Sequence, residues 1–347
     1  MARTTAMLLA LGLGGTAVAQ EAPDLPSLAI DRDAISVMGV SSGGYMATQL
    51  ATAFPERFSG LAAFAAGPWG CAQGSLRLAL GQCMGTRLGL PSVPELLNRH
   101  DRYLAEGLVG NRDDLARQRV YLWHGQADEV VAPELGELLA EQYREWLASP
   151  EQLRVEHTSD VAHGWPVGGT GLTHITDLAD CQRGGSPHLL ACDLDGAGKA
   201  LNWLYGDLDA PEPASEASLK SFDQSAFHTG RAFDEQGYLY VPQACETGES
   251  CGLVVALHGC NMSHEQIDTS FVRHSGLNEW AESNRLVVLY PQAAPSLPNP
   301  QACWDWWGFE ESTWQPSPTH DTRQGRQVNA IAAMVEELIK PDDAPRE

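Results

Sequence analysis

The sequence predicts an α/β fold in which a mostly parallel sheet is flanked by helices. Short apolar segments of strand length alternate with amphipathic helical segments along most of the 347 residues, a pattern typical of strand–helix–strand units. The hydrophobic content of 43% is enough for one large core. The sequence has no low-complexity bias, which excludes a disordered or fibrous chain. A Gly-x-Ser-x-Gly turn at residues 39–43 joins a predicted strand to a predicted helix, which is a local feature of one kind of α/β enzyme.

The first half of the chain carries the clearest alternation. Apolar segments of five to seven residues alternate with helical patterns. Pro55 ends the first helix because proline cannot continue one. The predicted helix 133–147 has its apolar side chains along one face. The predicted strands are 34–40, 60–66, 119–124 and 153–157, and the predicted helices are 45–54 and 133–147.

The second half resumes this alternation after a connecting segment at residues 206–224 that is rich in Asp, Pro, Ser and Glu. The two halves share the alternation without sharing a sequence, so no internal repeat is indicated. The predicted strands are 238–241, 253–257 and 286–290, and the predicted helices are 264–284 and 325–339.

The charge and the amino terminus predict where the protein acts. A net charge of −23, from 22 basic and 45 acidic residues, would repel phosphate backbones and anionic lipid, so we expect no nucleic-acid or membrane partner. Residues 1–19 resemble a signal peptide, with Arg3, an apolar run at 6–13 and a small-residue cleavage site at 17–19. We therefore expect a secreted protein, extracellular or periplasmic, whose mature chain is 20–347. We also expect this mature chain to be a monomer of one domain, without a separate substrate-binding domain.

The cysteines agree with export. Their number, eight, is even, and exported chains keep disulfides. No C-x-x-C spacing is present, which disfavours zinc, and we expect no metal. Eight cysteines allow 105 pairings, so bridging between nearest neighbours is a hypothesis, weakest for the last pair. The cysteines are Cys71, Cys83, Cys181, Cys192, Cys245, Cys251, Cys260 and Cys303.

Ser41 is the candidate nucleophile, since it is the middle residue of the 39–43 turn. In this context the turn lifts the serine clear of the sheet, and the small glycines let the turn close. The alternative is a tight turn with no reactive role, but the strand before it and the helix after it favour a nucleophile. The backbone N–H of Ser42 would then face the oxyanion at the start of the helix.

A serine nucleophile needs a base and an acid that orients the base. Asp128 follows the strand 119–124, and His163 follows the next strand, 153–157. Both therefore lie at the carboxyl ends of predicted parallel strands, where open α/β sheets place their sites. Asp160 is a rival orienting acid, but it lies on the same loop as His163. The chain order Ser, Asp, His is that of the α/β-hydrolases.

The second oxyanion donor predicts an unusual chain order. In an α/β-hydrolase this donor follows an early strand, upstream of the nucleophile. Here the candidate is Cys260, which comes after the strand 253–257, far downstream of Ser41. We therefore predict a circularly permuted α/β-hydrolase, because compact domains with neighbouring termini tolerate permutation. The alternative is a second domain that is unrelated to catalysis.

Four motifs together resemble the extracellular poly(3-hydroxybutyrate) depolymerases, and more narrowly their circularly permuted, single-domain type. The likeness covers nearly the whole mature chain. The combination is far more specific than any one motif. The motifs are Gly39-Val40-Ser41-Ser42-Gly43-Gly44-Tyr45-Met46-Ala47, Leu257-His258-Gly259-Cys260, Tyr290-Pro291-Gln292 and Cys303-Trp304-Asp305-Trp306.

The resemblance implies roles for individual residues. Ser41, Asp128 and His163 correspond to the catalytic triad, the amides of Ser42 and Cys260 to the oxyanion hole, and Trp306 to a residue beside the bound ester. It implies a secreted serine esterase that cleaves poly(3-hydroxybutyrate) or a related aliphatic polyester, without metal or cofactor. It also supports the disulfides Cys71–Cys83, Cys181–Cys192, Cys245–Cys251 and Cys260–Cys303.

The aromatic residues indicate a solid or oligomeric polyester substrate. Trp304, Trp306 and Trp307 lie close together in the sequence, and flat aromatic surface suits an apolar polymer. Trp203 and Trp280, on predicted helices, are expected in the core. Two other functions stay open: a feruloyl or acetyl esterase acting on carbohydrates, and a polymer-binding module without activity. The tryptophans disfavour the first, and the complete catalytic set disfavours the second.

Overall fold

A computed structural model describes residues 24–169, 172–228, 230, 232–311 and 317–340. The predicted leader, residues 1–19, lies outside these ranges. The strands are β1 Ile30–Val40, β2 Gly60–Phe64, β3 Arg119–Gly125, β4 Leu153–Thr158, β5 Trp165–Val167, β6 Ala179–Asp180, β7 Leu189–Ala191, β8 Leu219–Asp223, β9 Gln236–Tyr240, β10 Cys251–Leu257 and β11 Leu286–Tyr290. The α-helices are α1 Ser42–Ala53, α2 Leu76–Gln82, α3 Val93–Ala105, α4 Arg112–Leu115, α5 Pro133–Trp146, α6 Gly196–Tyr205, α7 Gln243–Glu246, α8 His264–Ile267, α9 Ser270–His274, α10 Leu277–Asn284 and α11 Arg326–Leu338.

Eight strands form the central sheet, in the order β4-β3-β2-β1-β10-β11-β9-β8. The six strands from β4 to β11 are parallel, and β9 and β8 complete the sheet by antiparallel pairing. The predicted fold class, a mostly parallel sheet flanked by helices, is therefore confirmed.

Both faces of the sheet are buried, as the strand sequences require. In β1, Ile35 and Val37 belong to one apolar cluster, and Met38 and Val40 belong to the other. Successive side chains of a strand point to opposite faces, so a run that is apolar throughout needs cover on both sides. Apolar residues of α1, α5 and α11 belong to the first cluster, and those of α6, α9 and α10 belong to the second.

The two halves of the chain share this one sheet. β10 pairs in parallel with β1, and Leu257 lies opposite Gly39. A strand from near the end of the sequence is thus the direct neighbour of the nucleophile strand. The arrangement is the one that circular permutation produces.

Three predictions about elements were incomplete. The predicted helix 264–284 is three short helices, because the chain turns at Asp268 (φ 54°) and Gly276 (φ 83°). The predicted connecting segment 206–224 contains the edge strand β8. A small parallel sheet, in the order β5-β7-β6, was not predicted, since strands of two or three residues carry no readable periodicity.

Disulfides join Cys71 to Cys83, Cys181 to Cys192, Cys245 to Cys251, and Cys260 to Cys303. Three of them close short loops, and the fourth joins two segments that are separated by 43 residues. Within the described ranges, no helix combines the length and the apolar character needed to cross a bilayer.

Candidate active site

Ser41 occupies a strained turn between β1 and α1. Its φ of 57° and ψ of −122° lie in a region that non-glycine residues avoid, and such strain is typical of functional positions. Its N–H donates to the carbonyl oxygen of Phe64, at 2.9 Å, at the end of the neighbouring strand β2. Ser42 begins α1 and is buried. The turn therefore has the geometry expected of a nucleophile that stands at the end of a strand.

The segment after β10 packs directly against this turn. A methyl group on Gly43 would overlap the carbonyl oxygens of Leu257 and His258, so only glycine fits there. A methyl group on Gly259 would lie 3.3 Å from Cβ of Ser41. The backbone that leads into Cys260 is thus in contact with the candidate nucleophile, as a donor of an oxyanion hole must be.

His258 and Trp304 hold the oxyanion loop, residues 258–260, in place. His258 is fully buried, which lowers the pKa of its imidazole to about 4, so the ring is neutral at pH 7. Its Nε2 accepts the N–H of Ala293 at 3.1 Å, and its carbonyl oxygen accepts the indole N–H of Trp304 at 2.9 Å. The backbone N–H of Trp304 also donates to the Ser42 hydroxyl, at 3.4 Å.

Trp304 differs from the expectation that it binds substrate. Its side chain has no exposed surface, and its ring packs against Phe233 and His258. It therefore supports the loop from behind and offers no face to a polymer. The spacing of the three tryptophans could not reveal this, because it does not say which way each ring points.

Asp128 and His163 form a hydrogen-bonded pair. His163 Nδ1 lies 2.7 Å from Asp128 Oδ2, and both residues are buried. The other carboxylate oxygen, Oδ1, accepts the backbone N–H groups of Val130 and Val131, at 2.8 and 2.9 Å. Asp160, the rival acid, is exposed on its turn. The buried carboxylate thus has a fixed orientation, and it bonds Nδ1 of His163, the nitrogen that the orienting acid bonds in a Ser-His-Asp triad.

His124 is a neighbour of the pair that the sequence analysis missed. Its Nε2 lies 3.2 Å from Asp128 Oδ2 and 3.0 Å from the carbonyl oxygen of Val131. Burial alone would raise the pKa of the Asp128 carboxyl, but the hydrogen bonds with His124 and His163 outweigh burial and hold this pKa well below its usual range. Asp128 is therefore ionised at neutral pH. A histidine four residues before the predicted acid, at the end of the same strand, was the available signal.

The three residues lie at the same, carboxyl-terminal edge of the parallel strands. Ser41 and Asp128 follow parallel strands that β2 separates, and the ring of Trp165, two residues after His163, packs against Phe64 of β2 at 4.3 Å. No hydrogen bond joins the side chains of Ser41 and His163 in the described part of the chain. Such bonds are often long before substrate binds and shorten in the reacting complex.

An aromatic stack continues from the nucleophile turn. The ring of Tyr45 lies parallel to that of Trp306, with centroids 4.4 Å apart, and Trp307 meets Trp306 edge-on at 5.5 Å. Trp306 is 6% exposed, whereas Trp307 is only half-buried. Trp307 therefore presents more surface than Trp306, and Tyr45 joins the stack although the sequence analysis did not single it out as a site residue.

Known proteins are similar to this chain in sequence and in structure. No family model matches the chain. A poly(3-hydroxybutyrate) depolymerase of Delftia acidovorans is 34% identical over 97% of this chain, which spans 66% of that relative's length. A polyhydroxybutyrate depolymerase of Talaromyces funiculosus is 34% identical, with 96% of each chain covered.

Two solved structures are also similar over 91% of this chain and 98% of their own. The PHB depolymerase of Penicillium funiculosum is 33% identical with a TM-score of 0.81. A PHB depolymerase variant complexed with an R3HB trimer is 32% identical with a TM-score of 0.82.

Proposed function

The chain belongs to the polyhydroxybutyrate depolymerases, which are carboxylic ester hydrolases, and we propose that its site hydrolyses poly(3-hydroxybutyrate) or a related aliphatic polyester. The observation that supports this proposal is that three parts lie at the same edge of the sheet. These are the strained Ser41, the buried Asp128–His163 pair, and the oxyanion loop packed on the nucleophile turn.

The proposed reaction is acyl transfer in two steps. His163 takes the proton of Ser41 as the hydroxyl oxygen attacks the ester carbonyl, and Asp128 holds the imidazole in the required tautomer. The N–H groups of Ser42 and Cys260 stabilise the oxygen that becomes negative. His163 then gives the proton to the leaving alcohol, and in the second step it activates the water that releases the acyl group.

Contact with the polymer is assigned to two surfaces. The first is the outer end of the aromatic stack that begins at Tyr45, where Trp307 is more accessible than Trp306. The second is a leucine surface, made of four side chains that are 44–53% exposed. Two of its members lie four residues apart on α2, and the others follow in the next turn. The leucine surface consists of Leu76, Leu80, Leu88 and Leu90.

The leucine surface adjoins the catalytic edge. Cys83, at the end of α2, accepts the Tyr45 hydroxyl, and Met84 accepts the N–H of Ala132 at 2.8 Å, close to the loop that holds Asp128. Residues 57–94 contain no Asp or Glu, although the whole chain carries 45 such residues. An apolar area without negative charge in an otherwise acidic surface fits adsorption to an uncharged polyester.

We further propose that the protein is exported and acts as a monomer. The four disulfides support folding in an oxidising compartment, and the signal-like pattern of residues 1–19 supports secretion. We expect the mature chain to act as one monomeric domain on its polyester, without a metal or cofactor.

The decisive experiment replaces Ser41 by alanine. We expect Ser41→Ala to lower the hydrolysis of a soluble p-nitrophenyl ester by at least about 10⁴-fold and to prevent clearing of a polyhydroxybutyrate suspension and labelling by a fluorophosphonate. Ser92→Ala is the matched control, because Ser92 is exposed and its side chain caps nothing. Retained activity in Ser41→Ala would refute the proposed nucleophile. The substrate is tested by comparing the polyester with feruloylated and acetylated sugars. Faster hydrolysis of these sugar esters than of the polyester would refute the proposed substrate.

A further inference from the structure

A pocket of about 400 Å³ lies beside His163 on the side of the Asp128 loop. Its volume falls within the range of about 300–1,000 Å³ that is typical of small-molecule sites. One wall is the loop at 127–130, and the other is the loop at 182–188, which the small sheet carries. The pocket is lined by His163 but not by Ser41 or the oxyanion loop, so it lies on the histidine side of the reacting centre.

The loop at 182–188 is well held. The disulfide Cys181–Cys192 closes it at its base. The carbonyl oxygen of His188 accepts the N–H of Trp165 at 2.8 Å, and Ala162 donates its N–H to Cys181 at 2.9 Å. The backbone of the loop is therefore fixed to Ala162 and Trp165, the two residues that flank the His163–Gly164 segment.

The chemistry of the substrate gives the pocket a direction. In the proposed mechanism, the ester C–O bond breaks and His163 donates its proton to the leaving oxygen. The departing fragment therefore lies on the histidine side. In a polyester of 3-hydroxy acids, the fragment that leaves as the alcohol is the one that runs to the free carboxyl end of the chain, whereas the acyl fragment runs to the hydroxyl end.

Arg183 lines this pocket and carries a positive charge at its rim. Its guanidinium forms an exposed ion pair with Asp180, at 3.2 Å, and its side chain is 83% exposed. Such pairs are weak. Asp180 does not depend on this pair, because its Oδ1 already accepts the backbone N–H groups of Gln182 and Arg183 at 3.1 and 2.9 Å. The guanidinium can thus turn to an anion in the pocket without leaving Asp180 unsatisfied.

We propose that this pocket is a carboxylate subsite in which Arg183 binds the free carboxyl end of the leaving fragment. The inference rests on the proposed esterase function and adds a direction to it. The rest of the molecule, with its net charge of −23, repels a carboxylate, and Glu129 on the opposite wall does so locally. Near the reacting centre, the attraction between Arg183 and the carboxylate outweighs the repulsion by the net charge and by Glu129. Short chains are therefore cleaved from the carboxyl end.

The test compares the 3-hydroxybutyrate trimer as the free acid with its methyl ester. We expect Arg183→Gln to raise KM for the acid about tenfold, the worth of one charge-assisted hydrogen bond. The kcat for the acid and both constants for the methyl ester should stay unchanged. Arg183→Lys should keep part of the preference, since the charge remains but the planar fork is lost. Glu129→Gln should lower KM for the acid.

Arg117→Gln is the matched control. Arg117 forms the same kind of exposed pair, with an aspartate three residues earlier, and it does not line the pocket. Equal KM changes for acid and methyl ester in Arg183→Gln, or the same change in Arg117→Gln, would overturn the inference while leaving the esterase function intact. Failure of the unsubstituted enzyme to cleave either trimer would instead refute the proposed function itself.

Discussion

The two sides of the candidate site are built in different ways. On the nucleophile side, backbone packs against backbone: the turn at 39–43 touches the end of β10 so closely that a single methyl group at Gly43 does not fit. On the histidine side, the pocket is bounded by loops whose side chains reach solvent, Arg183 and Glu129 among them. The candidate nucleophile turn is thus held by backbone contacts, whereas the charged side chains of the pocket are carried on loops.

The tryptophan segment is intermediate between the two sides. The disulfide Cys260–Cys303 fastens it to the oxyanion loop, and Trp304 supports that loop from behind. Trp307, three residues further on, is half-exposed and free to meet a polymer. The comparison therefore predicts that tolerance to substitution rises from the nucleophile turn, through this segment, to the outer surfaces.

The largest effect is expected at the nucleophile turn. In Gly43→Ala the added methyl group must displace the carbonyl groups of Leu257 and His258, which we expect to cost about 3 kcal/mol of unfolding free energy and, through misplacement of the oxyanion loop, about 10²-fold in kcat. Chemical denaturation and p-nitrophenyl ester kinetics measure the two. Gly85→Ala is the control, since a methyl group there meets its nearest neighbour at 3.6 Å. If both variants behaved alike, the close packing would have no functional meaning.

A smaller effect is expected behind the tryptophan stack, at Asp305. Burial raises the pKa of its carboxyl to about 6, above the usual value of about 3.9. The native state therefore holds a proton that the unfolded chain has lost between these two values, so this group makes the protein less stable as pH rises through that window, by about 3 kcal/mol.

Asp305→Asn removes this titration. The unfolding free energy of both proteins is measured at steps from pH 3.5 to pH 7. The difference between them should change by about 3 kcal/mol between the unfolded and the native pKa of Asp305, and it should be level above about pH 6.5. Two backbone N–H groups donate to the Asp305 carboxylate, and asparagine keeps one acceptor for them, so a constant offset is expected as well. A difference that did not vary with pH would show that the pKa of Asp305 is the same in the folded and the unfolded chain.

The smallest effect on the protein itself is expected at the leucine surface. Leu80→Ser combined with Leu90→Ser should leave the unfolding free energy within about 0.5 kcal/mol and soluble-ester turnover unchanged. Adsorption to a polyhydroxybutyrate film should weaken by roughly 30-fold, because each of the two leucines that is buried on the polymer contributes roughly 1 kcal/mol. Leu297→Ser, at a fully exposed leucine outside this surface, is the control. Equal adsorption by all three proteins would remove the surface from the proposal.

Local sequence determined the parts of the protein that local interactions specify. The strand, turn and helix around Ser41 lie within one continuous stretch, and their apolar runs and glycines predict both the fold class and the reactive turn. The order of motifs along the chain predicted the permuted arrangement, whereas the cysteine spacing left bridging between neighbours a hypothesis that the family resemblance completed. The roles of Ser41, Asp128 and His163 stay predictions until they are tested.

Only the tertiary structure decided which distant side chains meet and which of them reach solvent. His124 joins Asp128, Tyr45 stacks on Trp306, and Trp304 turns inward while Trp307 does not. The same holds for the pocket of Arg183, whose wall depends on strands of two or three residues. The physical reason is that such contacts form between segments brought together by sheet register and core packing, and the free energy that selects them belongs to no single stretch of the chain.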